Sequence, residues 1–332
     1  MRRTKTTEFL GRSILLGFTL WFSTTYLCRV ALAAVDFPKK GITVIVGFSP
    51  GGGRDIVVRG VGKTISKYLG VPIVVLNVPG AGGARGNMQL FNSAPDGYTL
   101  GIGAQADLFD QIIQKRDYDN KGFTFIGVVQ HTSPILFVKS DSPFRSVKEF
   151  KSYGKPVRCS TSNVLNPASV ATVIFANREK FPLALIGGYQ ADVAGMLAVI
   201  RGEVEFTNAL MSSAMPYLKA GQLRPILVVD QKRNPTIPEI PTIAEAGHPD
   251  LGIFTLDYWF MAPPGLPKTR TQILEDAVRK TLQDPEFLEW AKGSNVDATF
   301  LSGEETTKLV HRCFEVFDEY KGEIEKLLKK GK

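Results

Sequence analysis

The chain has 332 residues, of which 44% are hydrophobic and 22% are charged, and its formal net charge is +8. These values exclude a disordered chain, because the apolar content suffices for a sizeable core, and the length indicates two domains or one large one. No Lys/Arg block stands among aromatic residues, so the charge gives only weak support for nucleic acid and is compatible with small acidic ligands.

The first 33 residues have the layout of a secretory signal peptide. A basic start over residues 2–12 precedes an apolar stretch over 14–27, and Ala-Leu-Ala at 31–33 fits a cleavage site before Ala34. The apolar stretch is too short to span a bilayer, which argues against the alternative of an uncleaved membrane anchor. We therefore expect residues 1–33 to be removed and the mature protein to be periplasmic.

Beyond this segment, short apolar runs alternate with helical patterns. The first run, over 42–46, breaks into glycines and is followed by a helical pattern over 53–69 that Gly70 ends. Such alternation is typical of a parallel sheet covered on both faces. The later predicted elements are, in chain order, strand 72–76, a helix ending near 91, strands 98–102, 123–129 and 135–139, a short helix over 147–153, strand 156–160, helix 168–177, strand 183–186, helix 191–201, strand 204–206, helix 213–220, strand 225–229, an apolar segment over 254–261 and two C-terminal helices.

Two α/β sections, with helices returning at the end, predict two lobes between which the chain crosses twice, near 135–140 and 254–260. We assign residues 34–136 and 257–332 to lobe 1 and residues 137–256 to lobe 2. Ligands bind open α/β sheets at the carboxyl ends of their strands, so two such edges facing each other would form a cleft.

Three glycine-rich segments carry the main functional signal. They lie at 51–53, 80–83 and 101–103, and each follows a predicted strand and precedes a predicted helix. Simple chain reversal would also explain glycines at such places. Helix N-termini that converge on one sheet edge would, however, offer free backbone N–H groups to a carboxylate. Backbone donors supply no base, which favours capture over catalysis.

Signals for other chemistries are incomplete. Neither Cys-x-x-Cys nor His-x-x-x-His occurs, so no metal site and no cofactor are expected. We find no nucleophile with a base in reach. His131 ends a predicted strand, where it either contacts a ligand or has a structural role. Export would permit a disulfide between Cys159 and Cys313, but their spacing does not require one, and buried thiols are the favoured alternative.

Five segments in chain order resemble the extracytoplasmic solute receptors of the tripartite tricarboxylate transporter family, the Bug or TctC-type receptors. The first segment matches the family's strand followed by Phe-x-Pro-Gly-Gly-x-x-Asp, and the second matches Asn-x-Pro-Gly-Ala-Gly-Gly. The third is Ala-Pro-Asp-Gly-Tyr-Thr-Leu, and two later signatures follow. The segments are 42–55, 77–83, 94–100, 216–224 and 241–247.

The resemblance implies a type II periplasmic-binding-protein fold, with two α/β lobes joined by two crossing strands and a ligand cleft between them. It also implies that backbone groups of the first lobe hold a carboxylate. The implied first-lobe contacts are Phe48, Ser49, Pro50, Gly51, Gly52, Gly103, Ala104 and Gln105. The second lobe departs from the family pattern around residues 162–168, 186–189 and 208–209, which leaves the ligand's far end open. Its expected contacts are Thr161, Ser162, Tyr189 and Asn208.

The predicted function is a non-enzymatic periplasmic receptor that captures an organic acid anion for the membrane permease subunits of a tripartite transporter. We expect hinge closure of a monomer around this ligand. The alternatives are a secreted α/β hydrolase-like enzyme and a ligand-sensing partner of a membrane kinase. The sequence does not separate transport from sensing, because both use the same kind of receptor.

Overall fold

A computed structural model of the chain contains one compact unit that begins at Pro38 and holds every element considered below. The structure describes residues 36–161, 166–189, 191–322 and 325–326. The predicted signal peptide and the predicted contact Ser162 lie outside the described residues. Within those ranges, no helix has both the length and the apolar character that crossing a membrane requires.

The strands of the described ranges form two sheets. They are β1 Ile42–Val46, β2 Ile73–Asn77, β3 Thr99–Ala104, β4 Thr124–Thr132, β5 Ile135–Lys139, β6 Val157–Ser160, β7 Leu183–Ile186, β8 Phe206–Ala209, β9 Leu223–Val228, β10 Leu256–Ala262 and β11 Ala298–Ser302. The first sheet has six strands in the order β11-β4-β10-β3-β1-β2, and the second has five in the order β7-β6-β8-β5-β9.

Helices connect most of these strands. They are α1 Gly53–Leu69, α2 Ala84–Phe91, α3 Gln105–Ile113, α4 Pro167–Glu179, α5 Ala191–Arg201, α6 Met211–Lys219, α7 Lys268–Gln283, α8 Pro285–Gly293 and α9 Gly303–Glu319. α1 ends where predicted, because Gly70 adopts φ +70° and donates its N–H to the Ser66 carbonyl.

The first three strands create the sheet edge that matters for function. β1 pairs in parallel with both β2 and β3, as the alternation of strands and helices predicts. Their carboxyl ends therefore lie at one edge of the sheet. β10 returns antiparallel beside β3 and β4, and it pairs Tyr258 with Ala104 and Trp259 with Gly103.

The predicted glycine turn at 101–103 is wrong, because these residues lie inside β3. The glycines are needed there for close packing instead. A Cβ added at Gly101 would lie 2.5 Å from the Leu90 side chain, and one added at Gly103 would lie 2.4 Å from Nε1 of Trp259.

The predicted pair of C-terminal helices is also wrong, because α7, α8, α9 and β11 occupy this region. Pro285 starts a separate helix, and the Asp284 side chain caps it by accepting from the Glu286 N–H. β11 has no alternation of buried and exposed residues to reveal it, since each of its residues is half-buried. It forms the sheet edge by pairing antiparallel with β4.

The two sheets use different parts of the chain. β1–β4, β10 and β11 form the first, and β5–β9 form the second. The chain thus leaves the first sheet through residues 133–134 and returns to it through 229–255. This arrangement is the predicted two-lobed α/β fold with two crossings. β5 lies wholly in the second sheet, although the predicted lobe boundary follows residue 136; the lobe boundaries stay a prediction.

Aromatic side chains pack across elements that belong to both sheets. Phe317 of α9 stacks on Phe109 of α3 with 3.8 Å between ring centroids, and its centroid lies 5.1 Å from that of Phe254. The same buried cluster contains Phe175 of α4 and Phe206 of β8. The lobes are therefore joined by apolar packing as well as by the chain crossings.

The two described cysteines, Cys159 and Cys313, are free and fully buried, so the disulfide between them that export would permit is absent. Burial raises the pKa of both thiols, which disfavours reactive thiolates. They serve as small apolar core residues.

Candidate functional site

The loop over residues 48–52, which follows β1, opens the candidate site. Residues 49–53 are exposed, whereas the Phe48 ring is half-buried and packs against Gly83. A Cβ added at Gly83 would lie 2.9 Å from this ring, and Gly83 adopts φ +99°, a conformation that glycine tolerates without strain. The glycine turns after β1 and β2 therefore meet, as predicted.

The Gly51 amide has a partner within the protein. Its N–H donates to Oδ2 of Asp55 at 2.9 Å, and the Gly52 N–H makes a long contact of 3.4 Å with the Ser49 carbonyl. Asp55 is held in turn by Arg59 Nε at 2.9 Å and Asn77 Nδ2 at 3.0 Å. The Arg59 hydrogen bond is the main cause that lowers the pKa of Asp55 to about 2. Asp55 therefore supports the loop from beneath.

A buried ion pair joins the starts of α1 and α3. Arg54 donates from both terminal nitrogens to the two carboxylate oxygens of Asp107, each at 2.8 Å, and both side chains are buried. The Arg54 guanidinium also lies 4.4 Å from the centroid of the Phe48 ring and 5.8 Å from that of Tyr258. Its charge is therefore neutralised and fixed in place.

The residues predicted at the end of β3 are buried and partly committed to the fold. Gly103 lies beneath Trp259, and the Ala104 N–H donates to Oδ2 of Asp107 at 3.0 Å. The Gln105 side chain donates to Oδ2 of Asp257 at 3.0 Å and to the carbonyl of Ile253 at 2.6 Å. Gln105 thus connects the first sheet to the returning crossover, a role that the sequence did not indicate.

The first-turn amides of α1 and α3 are the candidate backbone donors of this site. The first-turn N–H groups of a helix have no partner within that helix. α1 begins at Gly53 without a side-chain cap from the described residues, and Ala106 in the first turn of α3 is exposed. The Arg54–Asp107 pair brings these two starts together at one sheet edge. The positive ends of both helix dipoles therefore lie at this edge of the sheet.

A polar pocket lies at the carboxyl ends of the second sheet's parallel strands. It holds about 290 Å³ of space, part of which is open to solvent. Three of the four predicted second-lobe residues line it, and Ser162 lies outside the described ranges. The described lining residues are Ser160, Thr161, Asn166, Ser169, Tyr189, Asp192, Gly195, Thr207 and Asn208.

Asp192 is a lining residue that the sequence predictions missed. Burial raises the pKa of its carboxyl group, whose Oδ2 accepts the Leu210 N–H at 3.0 Å. One turn later in α5, Gly195 permits close packing, since an added Cβ would lie 2.7 Å from Oγ of Ser160. An acidic residue two positions after the segment Gly-Gly-Tyr-Gln at 187–190 was the available signal.

His131 lies where the chain crosses between the sheets. Its Nδ1 lies 2.6 Å from Oδ1 of Asp257 in the first sheet, and its Nε2 lies 2.7 Å from Oδ2 of Asp230, two residues after the end of β9 in the second sheet. Burial alone would lower the pKa of His131, but hydrogen bonds to both carboxylates outweigh it and raise the pKa to about 10. His131 is therefore a cation that holds the crossings together.

A hydrolytic centre does not form around the exposed Ser49. This serine lies in a Gly-x-Ser-x-Gly spacing at 47–51, a hydrolase signal absent from the sequence predictions above. Two of the three histidines already have acidic partners, since His131 is bonded to two carboxylates and His248 to Glu179, and His311 lies exposed on α9. A protonated His131 cannot act as a general base. Nor do the described residues contain a group of three or more acidic, His or Cys side chains that could hold a metal ion.

Residues 57–318 match the family model described as "Tripartite tricarboxylate transporter family receptor". The chain is 29% identical over 305 residues to the UPF0065 protein in the gbd 5' region of Cupriavidus necator, and this alignment covers 89% of each chain. It is 28% identical over 270 residues to Protein BugT of Bordetella pertussis, which covers 78% of this chain and 81% of that one.

Solved structures share the fold. A TctC solute binding protein from Polaromonas superimposes with a TM-score of 0.77 at 22% identity, covering 87% of this chain and 99% of its own. MatC from Rhodopseudomonas palustris with bound malate superimposes with a TM-score of 0.63 at 23% identity, and the match covers 85% of this chain and 99% of MatC. An R. palustris protein with adipate superimposes with a TM-score of 0.67 at 23% identity, and the match covers 87% of this chain and 99% of that protein.

These similarities agree with the geometry described above. The strand ends of the first lobe lie beside the starts of α1 and α3, and those of the second lobe line a polar pocket. The family match spans well over half of the 332 residues. The chain therefore belongs to the tripartite tricarboxylate transporter receptor family.

Proposed function

We propose that this chain is a periplasmic receptor that captures a carboxylated organic acid and delivers it to the permease subunits of a tripartite transporter. The observation that carries the proposal is the pair of adjacent helix starts, where α1 has no side-chain cap from the described residues. Such a place favours an anion through backbone donors and helix dipoles. The malate and adipate held by two structures of the same fold are carboxylates as well.

The donors in this proposal differ from those first expected. The Gly51 and Ala104 amides donate to Asp55 and Asp107, so we assign the carboxylate to the first-turn amides of α1 and α3. Phe48, Ser49 and Pro50, with Gly51 and Gly52, form the wall of this site. Gly103 and Gln105 support it from below, and the second-lobe residues contact the other end of the ligand.

The test is a thermal-shift screen of the protein from Ala34 onward against mono-, di- and tricarboxylates, with neutral sugars and simple amines as controls. A ligand that binds only the native state raises the free energy of unfolding by mass action, by about 2.7 kcal/mol at a ligand concentration of a hundred times Kd. The melting temperature rises accordingly. We expect carboxylates alone to produce a shift. A shift with sugars or amines and none with any carboxylate would contradict the proposal.

Export and delivery are tested separately. Mass spectrometry of the exported protein should give a mature chain that begins at Ala34; a chain that retains residue 1 would contradict cleavage. Capture of solubilised permease subunits by the tagged, ligand-loaded receptor is expected to exceed capture by the ligand-free receptor. Recovery of a membrane kinase in place of the permease would favour sensing.

A further inference from the structure

The polar pocket of the second lobe has an unequal charge composition. Its described lining residues include Asp192 and no basic side chain. The residues next to them in the chain but outside the described ranges, 162–165 and 190, are Ser, Asn, Val, Leu and Gln, which carry no charge. A second carboxylate entering this pocket would therefore meet an acidic group and no compensating cation, a costly arrangement at a partly buried site.

The pocket also contains hydrogen-bonding atoms without a partner in the described part of the chain. Ser160 is 2% exposed, and its Oγ has no partner there. Asn208 Oδ1 is likewise buried and unpartnered, while Nδ2 of the same amide donates to Oγ1 of Thr172 at 2.9 Å. That bond fixes the orientation of the Asn208 amide and leaves its acceptor, Oδ1, without a hydrogen-bond donor in the described part of the chain.

Unpartnered buried polar atoms are rare in folded proteins, because each one loses its hydrogen bonds to water. An amide oxygen can only accept, so its missing partner must be an N–H or O–H group. An ionised carboxylate can only accept as well and cannot supply that group. By contrast, Thr161, Asn166 and Ser169 already satisfy one another, since Thr161 Oγ1 lies 2.7 Å from Ser169 Oγ and Asn166 Oδ1 accepts the Ser169 N–H.

We propose that this pocket binds a hydrogen-bond donor at the end of the ligand opposite its carboxylate and excludes a second carboxylate there. The ligand class is a monocarboxylate that ends in a hydroxyl, a primary amide or an ammonium group. This inference rests on the proposed function, because it takes one carboxylate to be held by the first lobe. It separates this chain from the neighbours of the same fold that hold malate and adipate, which each have two carboxylates.

The decisive measurement is titration calorimetry of the protein from Ala34 onward with two matched ligand series of four and six carbons. Each series keeps one carboxylate and varies the other end among methyl, carboxylate, hydroxyl, primary amide and ammonium. In at least one series, we expect a donor-ended acid to bind about tenfold or more tightly than both the methyl-ended acid and the dicarboxylate. The tightest of the three donor-ended acids identifies the donor.

Two variants test the assigned residues. Ser160→Ala should weaken binding of the donor-ended acid about fivefold to tenfold and leave the methyl-ended acid unchanged. Asp192→Asn removes the acidic group and should narrow the gap between the dicarboxylate and the donor-ended acid. The matched control is Ser93→Ala, which removes a hydroxyl bonded to Gln89 on the surface of the first lobe and should change neither affinity.

The outcomes are distinguishable. If a dicarboxylate or a methyl-ended acid binds as tightly as every donor-ended acid in both series, the inference is overturned while the proposed function stands. If no acid binds, the proposed function fails and the inference fails with it. The ligand series on the unmodified protein decides between these outcomes even if a variant does not fold.

Discussion

Replacing His131 by Gln removes the cation that two carboxylates share at the crossings between the sheets. In the native protein, Asp230 and Asp257 lie on opposite sides of this ring at 2.7 and 2.6 Å. Asp230 and Asp257 are 7% and 1% exposed, so the variant leaves two largely buried negative charges facing each other. Glutamine can donate to one of them but cannot neutralise either.

The size of the effect follows from the pKa of His131, which rises from 6.5 to about 10 on folding. Each pKa unit corresponds to about 1.4 kcal/mol, and loss of one partner from a buried ion pair costs about 3–5 kcal/mol. The His131 side chain is 30% exposed, so we expect the variant to lose about 3 kcal/mol at pH 6, the lower part of that range. Because the folded pKa is raised, this contribution is complete below pH 6.5 and is lost as the pH rises through about 10.

The assay is urea unfolding of wild type and His131→Gln at pH 6, 8 and 10.5. The difference in unfolding free energy should be largest at pH 6 and should nearly vanish at pH 10.5, where the wild-type imidazole is neutral. Titration of distant groups affects both proteins equally and cancels in the difference. A difference that stays constant from pH 6 to 10.5 would refute the assignment of His131 as a buried cation.

Three further predictions address the site. Gly51→Val should abolish ligand binding while the fold is kept, because Gly51 adopts φ +81° in the loop wall; Gly154→Val, at φ +76° with equally open space, should cost similar stability and leave binding intact in the same calorimetric assay. Asp55→Asn should destabilise the protein by about 1–2 kcal/mol at pH 7. This loss should shrink as the pH falls from 3.8 through about 2, where the native carboxylate is itself protonated, and a loss that persists at pH 2 in urea unfolding would contradict the Arg59 contact as its cause. Gly195→Ala should weaken ligand binding, because its new methyl group would lie 2.7 Å from Ser160 Oγ and narrow the pocket; unchanged affinity would place the ligand elsewhere.

Local signals predicted the first lobe's edge well. The β-branched run of β1, the glycines after it and Gly70 each act within a few residues, so they identify the strand, the loop and the end of α1 from sequence alone. Family membership confirms the predicted family and the two-lobed α/β fold, and this family consists of receptors rather than enzymes.

Contacts between residues far apart in the chain were not predictable in the same way. His131 contacts Asp230 and Asp257, which lie 99 and 126 residues further along the chain. No local sequence pattern predicts these contacts. The one available hint was Asp257, an acidic residue within the apolar segment over 254–261, since a charge in a buried strand needs a buried partner. Asp107 likewise accepts the Ala104 N–H and forms an ion pair with Arg54. The composition of the loops alone could not predict these two contacts.

The mutual neutralisation of Arg54 and Asp107 has an evolutionary consequence. With that pair cancelled, the anion site that we propose at the starts of α1 and α3 would depend on peptide groups, which do not titrate and which every residue except proline supplies. Substitutions of exposed side chains at this edge, away from its glycines, would therefore keep the preference for an anion. In the proposed function, a change of ligand would then require substitutions only among the side chains of the second-lobe pocket, while the first lobe continues to hold the carboxylate.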